Sequence, residues 1–472
     1  MRFRRRLSFV ACRRTLGLFG FAYAVWAAGC LVASAQTLNT LHNFDGTDGV
    51  GPSITLTQGR DGNLRGTVGG GGSNDLGTAF AITPGGVLKY INFDGTNGGA
   101  PGGGLLLGID NNFYGTTANG GANGLGVVYK ASPTGTLAVL ISFDKADGSN
   151  PEGSLIQGTD GNFYGTTSDG GSSTNCSAGC GTVFKIAPGG ALTTLYNFDA
   201  THGALPAQGM VQGTDSNFYG TTIQGGTSTN CGGGCGTVFR ITPGGQLITV
   251  HNFTGSDGTS PYGPPIEGTD GNFYGTTLNT IFRVSPGGAF TNLYTLTGTT
   301  LVVAPLVEGT DGNFYGVNAE GGSSNNCGAS GCGTIFQITP SGVLTTLYNF
   351  SGPDGQFPDG GLLQHTNGKF YGTTAFGGGN GDGTIFSLDM GFGPFVTFVR
   401  RFGRVGSGVQ ILGTGLTGAT AITFNGVPAT TFSVFSDSFM EAIVPAGATT
   451  GPVQVTAPGG TLTSNVNLQI VP

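Results

Sequence analysis

One eight-residue string recurs along this chain, and its spacing constrains the fold more than any other feature. The string Asp-Gly-Asn-Phe-Tyr-Gly-Thr-Thr is intact from Asp160 and from Asp270. Five diverged copies bring the number of units to seven, and the glycines that they share are Gly66, Gly115, Gly165, Gly220, Gly275, Gly316 and Gly372. Neighbouring glycines are 41 to 56 residues apart. A period of this length indicates a repeat architecture in which each unit is one supersecondary element.

Each unit contains four short strand candidates separated by turns rich in Gly and Pro. In the third unit they are Leu137–Phe143, Ser154–Gly158, Asn162–Thr167 and Gly181–Ala187. Many of these strands are apolar on both faces, as expected when sheets stack face to face. Seven units of four strands predict an all-β fold, a seven-bladed β-propeller of 28 strands. A β-solenoid is the alternative, although its rungs are usually shorter than these units.

The two ends of the repeat region carry complementary strand types. The region begins with the strand Leu38–Phe44 and ends with Gly383–Leu388, the type that precedes it in every other unit. We therefore expect the last blade to be shared between the two ends, since ring closure removes the exposed edges of an open array. The predicted propeller domain covers residues 36–390.

These units are similar to a known family of repeats. The patterns GTVFKITPGG, LYNF, DGNFYGTT and GG resemble the GloVer tandem repeat of bacterial exported proteins over about residues 38–390. The resemblance implies export and a repeat architecture, and it implies no reaction because members of the family have no generally assigned activity. Many members carry a C-terminal sorting anchor, which we do not expect here because no apolar helix with a basic tail precedes Pro472.

A different β-rich pattern follows the repeats. Residues 391–394 (Gly-Phe-Gly-Pro) form a predicted linker, and residues 395–472 contain short alternating strands such as Val409–Leu416 and Ala421–Val427. Regular strands broken by Gly and Pro predict an immunoglobulin-like β-sandwich. The order GTGL, TGAT, ITFNG, VPA and GATTGPVQVTAPGG resembles the IPT/TIG domain. That resemblance implies a spacer or an adhesion-type binding unit in an extracellular protein.

The N-terminus has the pattern of a signal peptide, predicted to cover residues 1–35. A basic stretch runs to Arg14, an apolar stretch covers Leu16–Val32, and Ala33-Ser34-Ala35 supplies small residues before the cleavage point. A retained membrane anchor is the alternative. No later segment reaches the roughly 18 apolar residues of a membrane span. We therefore expect a secreted, cell-surface or periplasmic protein with no membrane span after cleavage.

Charge limits the classes of partner. The chain has 18 basic and 25 acidic residues, and six of the basic residues lie in the first 14 positions. Cleavage of the signal peptide therefore leaves 12 basic residues against 25 acidic ones, a net charge of −13. An acidic body without a basic patch argues against nucleic-acid binding.

Six of the eight cysteines form three close pairs outside the signal segment, each in the same loop of its unit. Because an exported protein meets an oxidising compartment, the pairs predict disulfides that staple these loops. Zinc is the alternative, but it requires four ligands together and each unit with cysteines has only two. The predicted bonds join Cys176 to Cys180, Cys231 to Cys235, and Cys327 to Cys332.

Carboxylates recur in the turns that follow the Asn-Phe strand ends. They could bind Ca²⁺, which favours oxygen ligands on Gly-rich turns. The alternative is turn formation, because Asp caps its own backbone at such positions. We predict no metal as the leading interpretation. The carboxylates are Asp45, Asp48, Asp144, Asp147 and Asp257.

One tyrosine per unit is the repeated aromatic candidate for a ligand site. If these side chains faced a central channel, they would form an aromatic collar able to stack on sugars. The alternative is a place in the core between blades. The tyrosines are Tyr114, Tyr164, Tyr219, Tyr274, Tyr315 and Tyr371.

No catalytic constellation stands out in the sequence. There is no G-x-S-x-G elbow and no H-E-x-x-H motif, and His42 and His251 occupy slots where other units have Tyr196 or Tyr348. The sequence therefore favours a monomeric, non-enzymatic protein that binds an extracellular glycan or a surface protein. The alternative is a propeller hydrolase or lyase acting on extracellular polysaccharide, because blade loops can carry a site without a linear motif.

Overall fold

Short runs of β-branched and aromatic residues between Gly-rich turns form strands throughout the described part of the chain. The structure is a computed structural model that describes residues 36–206, 208–297, 302 and 304–471, so the predicted signal peptide lies outside the described residues. Within those residues there is no α-helix, and the single helical turn is η1 (Gly328–Ser330), a 3-10 turn. None of the described helices is long and apolar enough to cross a membrane.

The described residues of the repeat region contain 28 strands, numbered here in chain order. They are β1 (Thr37–Asn43), β2 (Thr57–Gln58), β3 (Leu64–Val68), β4 (Thr78–Ile82), β5 (Leu88–Asn92), β6 (Leu106–Leu107), β7 (Phe113–Thr117), β8 (Val127–Ala131), β9 (Leu137–Ser142), β10 (Ile156–Gln157), β11 (Phe163–Thr167), β12 (Thr182–Ile186), β13 (Leu192–Asn197), β14 (Met210–Gln212), β15 (Phe218–Thr222), β16 (Thr237–Ile241), β17 (Leu247–Asn252), β18 (Ile266–Glu267), β19 (Phe273–Thr276), β20 (Thr280–Val284), β21 (Phe290–Thr295), β22 (Val307–Glu308), β23 (Phe314–Asn318), β24 (Thr334–Ile338), β25 (Leu344–Asn349), β26 (Leu363–Gln364), β27 (Phe370–Thr374) and β28 (Thr384–Asp389).

These strands form seven four-stranded antiparallel sheets among the described residues. Six sheets consist of consecutive strands: sheet one (β2–β5), sheet two (β6–β9), sheet three (β10–β13), sheet four (β14–β17), sheet five (β18–β21) and sheet six (β22–β25). Sheet seven has the order β26-β27-β28-β1. Because β1 pairs with β28, with Leu38 opposite Leu388, the two ends of the repeat region share one sheet, as their strand types predict.

Consecutive sheets pack face to face, which is why their strands are buried on both sides. Tyr164 of sheet three shares one hydrophobic cluster with Phe218 and Phe239 of sheet four. Phe44, which follows β1, shares another with Phe80 of sheet one. Sheet seven therefore packs against sheet one as sheet three packs against sheet four.

Hydrogen bonds of one kind also pass from each of sheets two to seven to the next sheet, with sheet one following sheet seven. A backbone N–H just after the first strand of one sheet is donated to the Gln or Glu that ends the first strand of the following sheet. The pairs are Ile109 to Gln157 (3.2 Å), Thr159 to Gln212 (3.1 Å), Thr214 to Glu267 (3.1 Å), Thr269 to Glu308 (3.0 Å), Thr310 to Gln364 (3.0 Å) and Thr366 to Gln58 (3.1 Å). The last bond joins sheet seven to sheet one.

The C-terminal region, residues 395–471, contains ten more strands. They are β29 (Thr397–Phe398), β30 (Phe402–Gly403), β31 (Gly408–Leu412), β32 (Ala421–Phe424), β33 (Val427–Pro428), β34 (Phe432–Ser436), β35 (Phe439–Ile443), β36 (Val453–Ala457), β37 (Gly460–Thr463) and β38 (Gln469–Ile470). The antiparallel sheets β29-β31-β35-β34 and β33-β32-β36-β37 share one hydrophobic cluster, in which Ile411 and Met440 meet Phe424 and Val453. Strands β30 and β38 form a short parallel pair.

Candidate functional site

The six repeated tyrosines lie between the sheets and not on an open surface. A collar of ring faces open to sugars is therefore not present, and the core position between sheets is the one found. All six side chains are buried, at 0 to 3% exposed: Tyr114, Tyr164, Tyr219, Tyr274, Tyr315 and Tyr371.

Each of these tyrosines makes its contacts within the chain. Five of the rings lie on the phenylalanine of the next sheet, with centroids 3.8 to 4.4 Å apart, as in Tyr219 on Phe273. The hydroxyls of these five donate to the turn aspartate four residues earlier, as Tyr164 does to Asp160 at 2.8 Å. Burial, followed by the bond to its turn aspartate, raises the pKa of Tyr274 to about 12. The hydroxyls are therefore already engaged.

Arg65 replaces the tyrosine in the first unit and makes the same two contacts by different chemistry. Its guanidinium donates two 2.8 Å bonds to the Asp61 carboxylate and lies 4.4 Å from the centroid of the Phe113 ring in sheet two. A stacked guanidinium with a bidentate carboxylate partner replaces both the aromatic ring and its hydroxyl.

The three predicted disulfides are present. In the three bonds the Cα atoms are 5.1 to 5.2 Å apart. Each bond closes a loop within a single sheet, between its second and third strands. This pairing leaves none of the six cysteines free to bind a metal. The bonds join Cys176 to Cys180, Cys231 to Cys235, and Cys327 to Cys332.

The two cysteines of each pair differ in burial. Both lie in the loop just before the third strand, as the sequence predicts, but only the first is partly exposed. The second is fully buried, at 0% exposed, because it lies next to the third strand of its sheet, where it joins a hydrophobic cluster with residues such as Val183 and Phe198. Each bond therefore ties a loop to the core of its sheet. The buried cysteines are Cys180, Cys235 and Cys332.

Breaking one of these disulfides should lower the free energy of unfolding only slightly. Cys176→Ser opens the bond at its partly exposed end and leaves the Cys180 sulfur in the core. Because the closed loop has only about five residues, this change is expected to lower the free energy of unfolding by about 2 kcal/mol or less. Cys176→Ser/Cys180→Ala should cost about 1 kcal/mol more, since it also removes a buried sulfur.

Urea denaturation of both variants against the wild type measures these costs. A loss above about 4 kcal/mol for Cys176→Ser alone would instead assign the disulfide a role in holding sheets three and four together.

The turn carboxylates considered for calcium are engaged within the chain. Asp48 bonds the ring of His42 at 2.6 Å, and Asp257 bonds that of His251 at 3.0 Å. Burial lowers the pKa of His251, although the bond to Asp257 opposes it. In the described residues no three His, Cys, Asp or Glu side chains converge to hold a metal.

The two ends of the sheets differ in what covers them. In an antiparallel sheet, successive connections alternate between the ends. The Asp-Gly-Asn and Pro-Gly-Gly turns therefore lie at one end, named here the turn end. The disulfide loops and the connections between sheets lie at the other, the loop end.

The C-terminal region covers the turn end. Its polar groups bond the first strands, or the turns that follow them, in six of the seven sheets. The bonded residues are Arg60, Ile109, Gly158, Gln212, Glu267 and Thr366. One of these contacts is an ion pair between Arg401 and Glu267, whose carboxylate side chain is 5% exposed.

A cavity of about 370 Å³ lies beneath this cover. Its walls include the first strands of sheets two to five, through Leu106, Ile156, Val211 and Ile266, and the segment Phe398–Phe402 lines it from the turn end. This convergence is why the first strand of each sheet is called the inner strand below.

Carboxylates that the sequence did not single out lie at the loop end, just before the inner strands. Glu152 follows Pro151 in the connection to sheet three, and Asp359 follows Pro358 in the connection to sheet seven. Burial raises the pKa of Asp359 to about 6, although a hydrogen bond with Ser53 opposes the shift. The Oδ1 atom of Asp359 is buried and has no hydrogen-bond partner. Burial and a neighbouring carboxylate raise the pKa of Glu152.

The position after this proline varies from unit to unit, and that variation is the sequence signal that could have identified it. Equivalent connections carry Ser53, Gly102, Glu152 and Tyr262. A search for repeated residues passes over such a position because its residue type, unlike its backbone, does not repeat.

Asp359 should make stability depend on pH. Its folded pKa of about 6 lies above the value near 3.9 of an unfolded chain. The protonated carboxyl therefore adds to the free energy of unfolding below pH 4, and this contribution is lost as the pH rises through 6. Between pH 4 and pH 7 the free energy of unfolding of the wild type should fall by about 2 to 3 kcal/mol relative to that of Asp359→Asn. Urea denaturation of both proteins at pH 4, 5.5 and 7 checks this, and parallel curves would contradict it.

Comparison with known proteins places the chain in a repeat family. It belongs to the Gloeobacter/Verrucomicrobia repeat family, whose model matches residues 30–233 and 227–434. None of the curated proteins matches the chain. Among solved structures it is similar to a streptogramin B lyase, at 16% identity over 75% of this chain and 97% of that one, with a TM-score of 0.53. At this identity the likeness shows a shared propeller-like fold and does not assign an activity.

Two further structures resemble the chain more weakly. One is a fungal alcohol oxidase of the AA5 family in complex with copper, 12% identical over 92% of this chain and 99% of that one, with a TM-score of 0.49. The other is an extracellular domain from B. thetaiotaomicron, 12% identical over 90% of this chain and 52% of that one, also with a TM-score of 0.49.

Proposed function

We propose that this chain is an exported, non-enzymatic binding protein that holds an extracellular glycan at the loop end of a seven-bladed β-propeller. One observation carries the proposal. The chain's own C-terminal region occupies the turn end, so the loop end is the end left for a ligand. There Asp359 has a carboxylate oxygen with no hydrogen-bond partner.

The proposed platform is a closed ring of seven blades over residues 36–390. Closure is supported by the contacts between sheet seven and sheet one, which repeat those between other neighbours. The Thr373 hydroxyl donates to the Ile54 carbonyl at 3.2 Å, as the Thr116 hydroxyl of sheet two donates to the Gly153 carbonyl of the connection to sheet three at 2.9 Å.

The proposed second domain is an IPT/TIG-like, immunoglobulin-like sandwich over residues 395–472, after the linker at 391–394. Its two four-stranded sheets with a common core support this assignment. In the proposed arrangement it acts as a cap on the turn end, fixed by Arg401 and by the bonds described above.

A glycan fits the chemistry of the loop end. Carboxylates accept hydrogen bonds from sugar hydroxyls, and hydrogen bonds to charged groups contribute about 1.5 to 3 kcal/mol each. Ser53 and Tyr262, at the equivalent position in other sheets, add hydroxyl groups that both donate and accept. The acidic net charge of the mature chain disfavours anionic polymers, so a neutral glycan is the preferred ligand.

The test is direct binding followed by substitution. The mature protein is screened on a glycan array, and calorimetry then gives the dissociation constant for the best saccharide. Asp359→Ala and Glu152→Ala should each weaken binding about tenfold or more. Glu320→Ala, which removes a carboxylate from a disulfide loop at the same end, is the matched control and should bind like the wild type. Equal affinity in all four proteins, or no retained saccharide, would contradict the proposal.

A propeller hydrolase or lyase acting on extracellular polysaccharide is the second candidate. The observation in its favour is the Asp359 carboxyl, because a pKa of about 6 suits a general acid near neutral pH. Reducing-sugar or unsaturated-product release from the saccharides retained on the array decides between the two. If the wild type releases product and Asp359→Asn does not, the enzymatic candidate replaces the binding proposal.

The proposed location is outside the cytoplasm, either secreted, on the cell surface or in the periplasm. Three disulfides in one chain support it, since such bonds persist in oxidising compartments. We propose a monomer, because a closed ring leaves no long sheet edge to pair with a second copy.

A further inference from the structure

The boundary between sheets one and two departs from the repeat on both of its sides. In the third strand, sheet one has Ala79 and Ala81 where sheet three has Val183 and Lys185. Sheet two ends its third strand with Ala131, where sheet three has an isoleucine. Three substitutions from larger to smaller residues thus fall at one boundary.

The backbone of sheet one also differs. The pairing of third and fourth strands contains a bulge in sheets two to six, for example between Val183 and Phe184, and the β1–β28 pairing of sheet seven contains one too. In sheet one the pairing is regular along the whole of β4 and β5. A bulge bends its strand and increases the twist, so its absence leaves strand β5 straighter than its equivalents.

These departures leave a cleft of about 240 Å³ between the two sheets. Tyr90 lies at its surface, 41% exposed. The volume is enough for one or two aromatic rings. The walls are mostly apolar and include Phe80, Ile91, Leu105, Phe113 and Pro133.

Two cations line the cleft and differ in how they are neutralised. Arg65 is held by Asp61 and stacks on Phe113, so its charge has a partner and its guanidinium plane is fixed. Lys89 is exposed and forms no ion pair within the described residues. A ligand that filled the cleft would thus meet a flat cationic group inside it and an unpaired ammonium at its opening.

We propose that this cleft is a binding site for a small aromatic carboxylate. The aromatic ring occupies the space left by the three alanines, where apolar side chains and the Arg65 guanidinium plane contact it. The carboxylate lies outward and pairs with Lys89. The site is separate from the glycan site at the loop end, so neither proposal depends on the other.

The experiment uses naphthoate as the aromatic acid and naphthylmethanol as its uncharged analogue, with affinities from calorimetry on the mature protein. The wild type should bind naphthoate with a dissociation constant in the micromolar range and bind the alcohol about two- to fivefold more weakly. Lys89→Gln should remove that preference while leaving affinity for the alcohol unchanged.

Ala81→Gln/Ala131→Ile fills the cleft with residues that other sheets carry at these positions, so it should fold normally and bind both compounds at least tenfold more weakly. Ser387→Gln, the equivalent change in sheet seven, is the control and should bind like the wild type. The proposal fails if the wild type binds naphthoate no better than about 1 mM, or if the filled variant binds it as well as the wild type does.

Discussion

Phe44→Ala is expected to lower the free energy of unfolding by about 3 to 5 kcal/mol, the cost of truncating a fully buried phenylalanine. Phe44 is 0% exposed and lies 5.8 Å from Phe80, centroid to centroid, between sheets seven and one. Phe198 occupies the equivalent place between sheets three and four, 5.3 Å from Phe239. Truncation of Phe44, near the start of the described chain, should therefore lower the free energy of unfolding as much as truncation of Phe198 in the middle of it.

Urea denaturation of Phe44→Ala and Phe198→Ala measures the two costs side by side. Val343→Ala, at a position 62% exposed, is the control and should change stability by less than about 0.5 kcal/mol. If Phe198→Ala is costly and Phe44→Ala costs less than about 1 kcal/mol, the packing of sheet seven on sheet one through Phe44 does not stabilise the protein.

Gly165→Ala is expected to destabilise the protein by about 3 kcal/mol through overpacking. A Cβ atom at this glycine would lie 2.5 Å from Cζ of Phe184 and 2.8 Å from Cδ2 of Leu155. The same glycine of every unit lies beneath the aromatic ring of the neighbouring strand, which explains why the glycine of the repeated string is kept in all seven units.

Gly189→Ala is the matched control, because a Cβ there meets nothing within 4 Å. It should leave the midpoint of thermal unfolding nearly unchanged, or raise it slightly by restricting the unfolded chain. Gly165→Ala/Phe184→Leu should recover part of the loss by making room for the added methyl. If the two single alanine substitutions have equal effects, glycine is required at position 165 for its backbone freedom and not because of contact with the Phe184 ring.

The sequence predicted the strands well where side chains determine them. Asn162–Thr167 was expected and Phe163–Thr167 is found, because every residue of that strand is buried. The inner strand was expected over Ser154–Gly158 and covers only Ile156–Gln157. Glycines such as Gly153 allow the neighbouring backbone to approach closely there, which shortens the regular pairing.

The cysteine pairs show how far spacing alone can predict a structure. Two cysteines four or five residues apart in an exported chain are close enough to bond whatever surrounds them, so the pairing was predictable. The spacing does not show which of the two sulfurs faces the core, because that depends on where the third strand begins. Burial of the second cysteine in each pair was therefore missed for Cys180, Cys235 and Cys332.

The candidate sites were harder to predict for a physical reason. A tyrosine that repeats once per unit has the same spacing whether it faces a channel or a neighbouring sheet, so periodicity could not choose between the two. Asp359 and Glu152 do not repeat, and their raised pKa values arise mainly from burial at the end of a connection. The cleft beside Ala81 required the packing of two sheets, since an alanine alone does not show which side chains fill the space beside it.

The shared sheet seven also fixes the order in which this protein can finish folding. Among the described strands of the repeats, β1 is synthesised first and its partner β28 last. Until β28 arrives, the edge of β1 has no native partner, and contacts this distant in the chain form slowly. The nascent protein therefore carries an unpaired strand edge until residues 384–389 are made, so we expect a chaperone that shields such edges to act on strand β1.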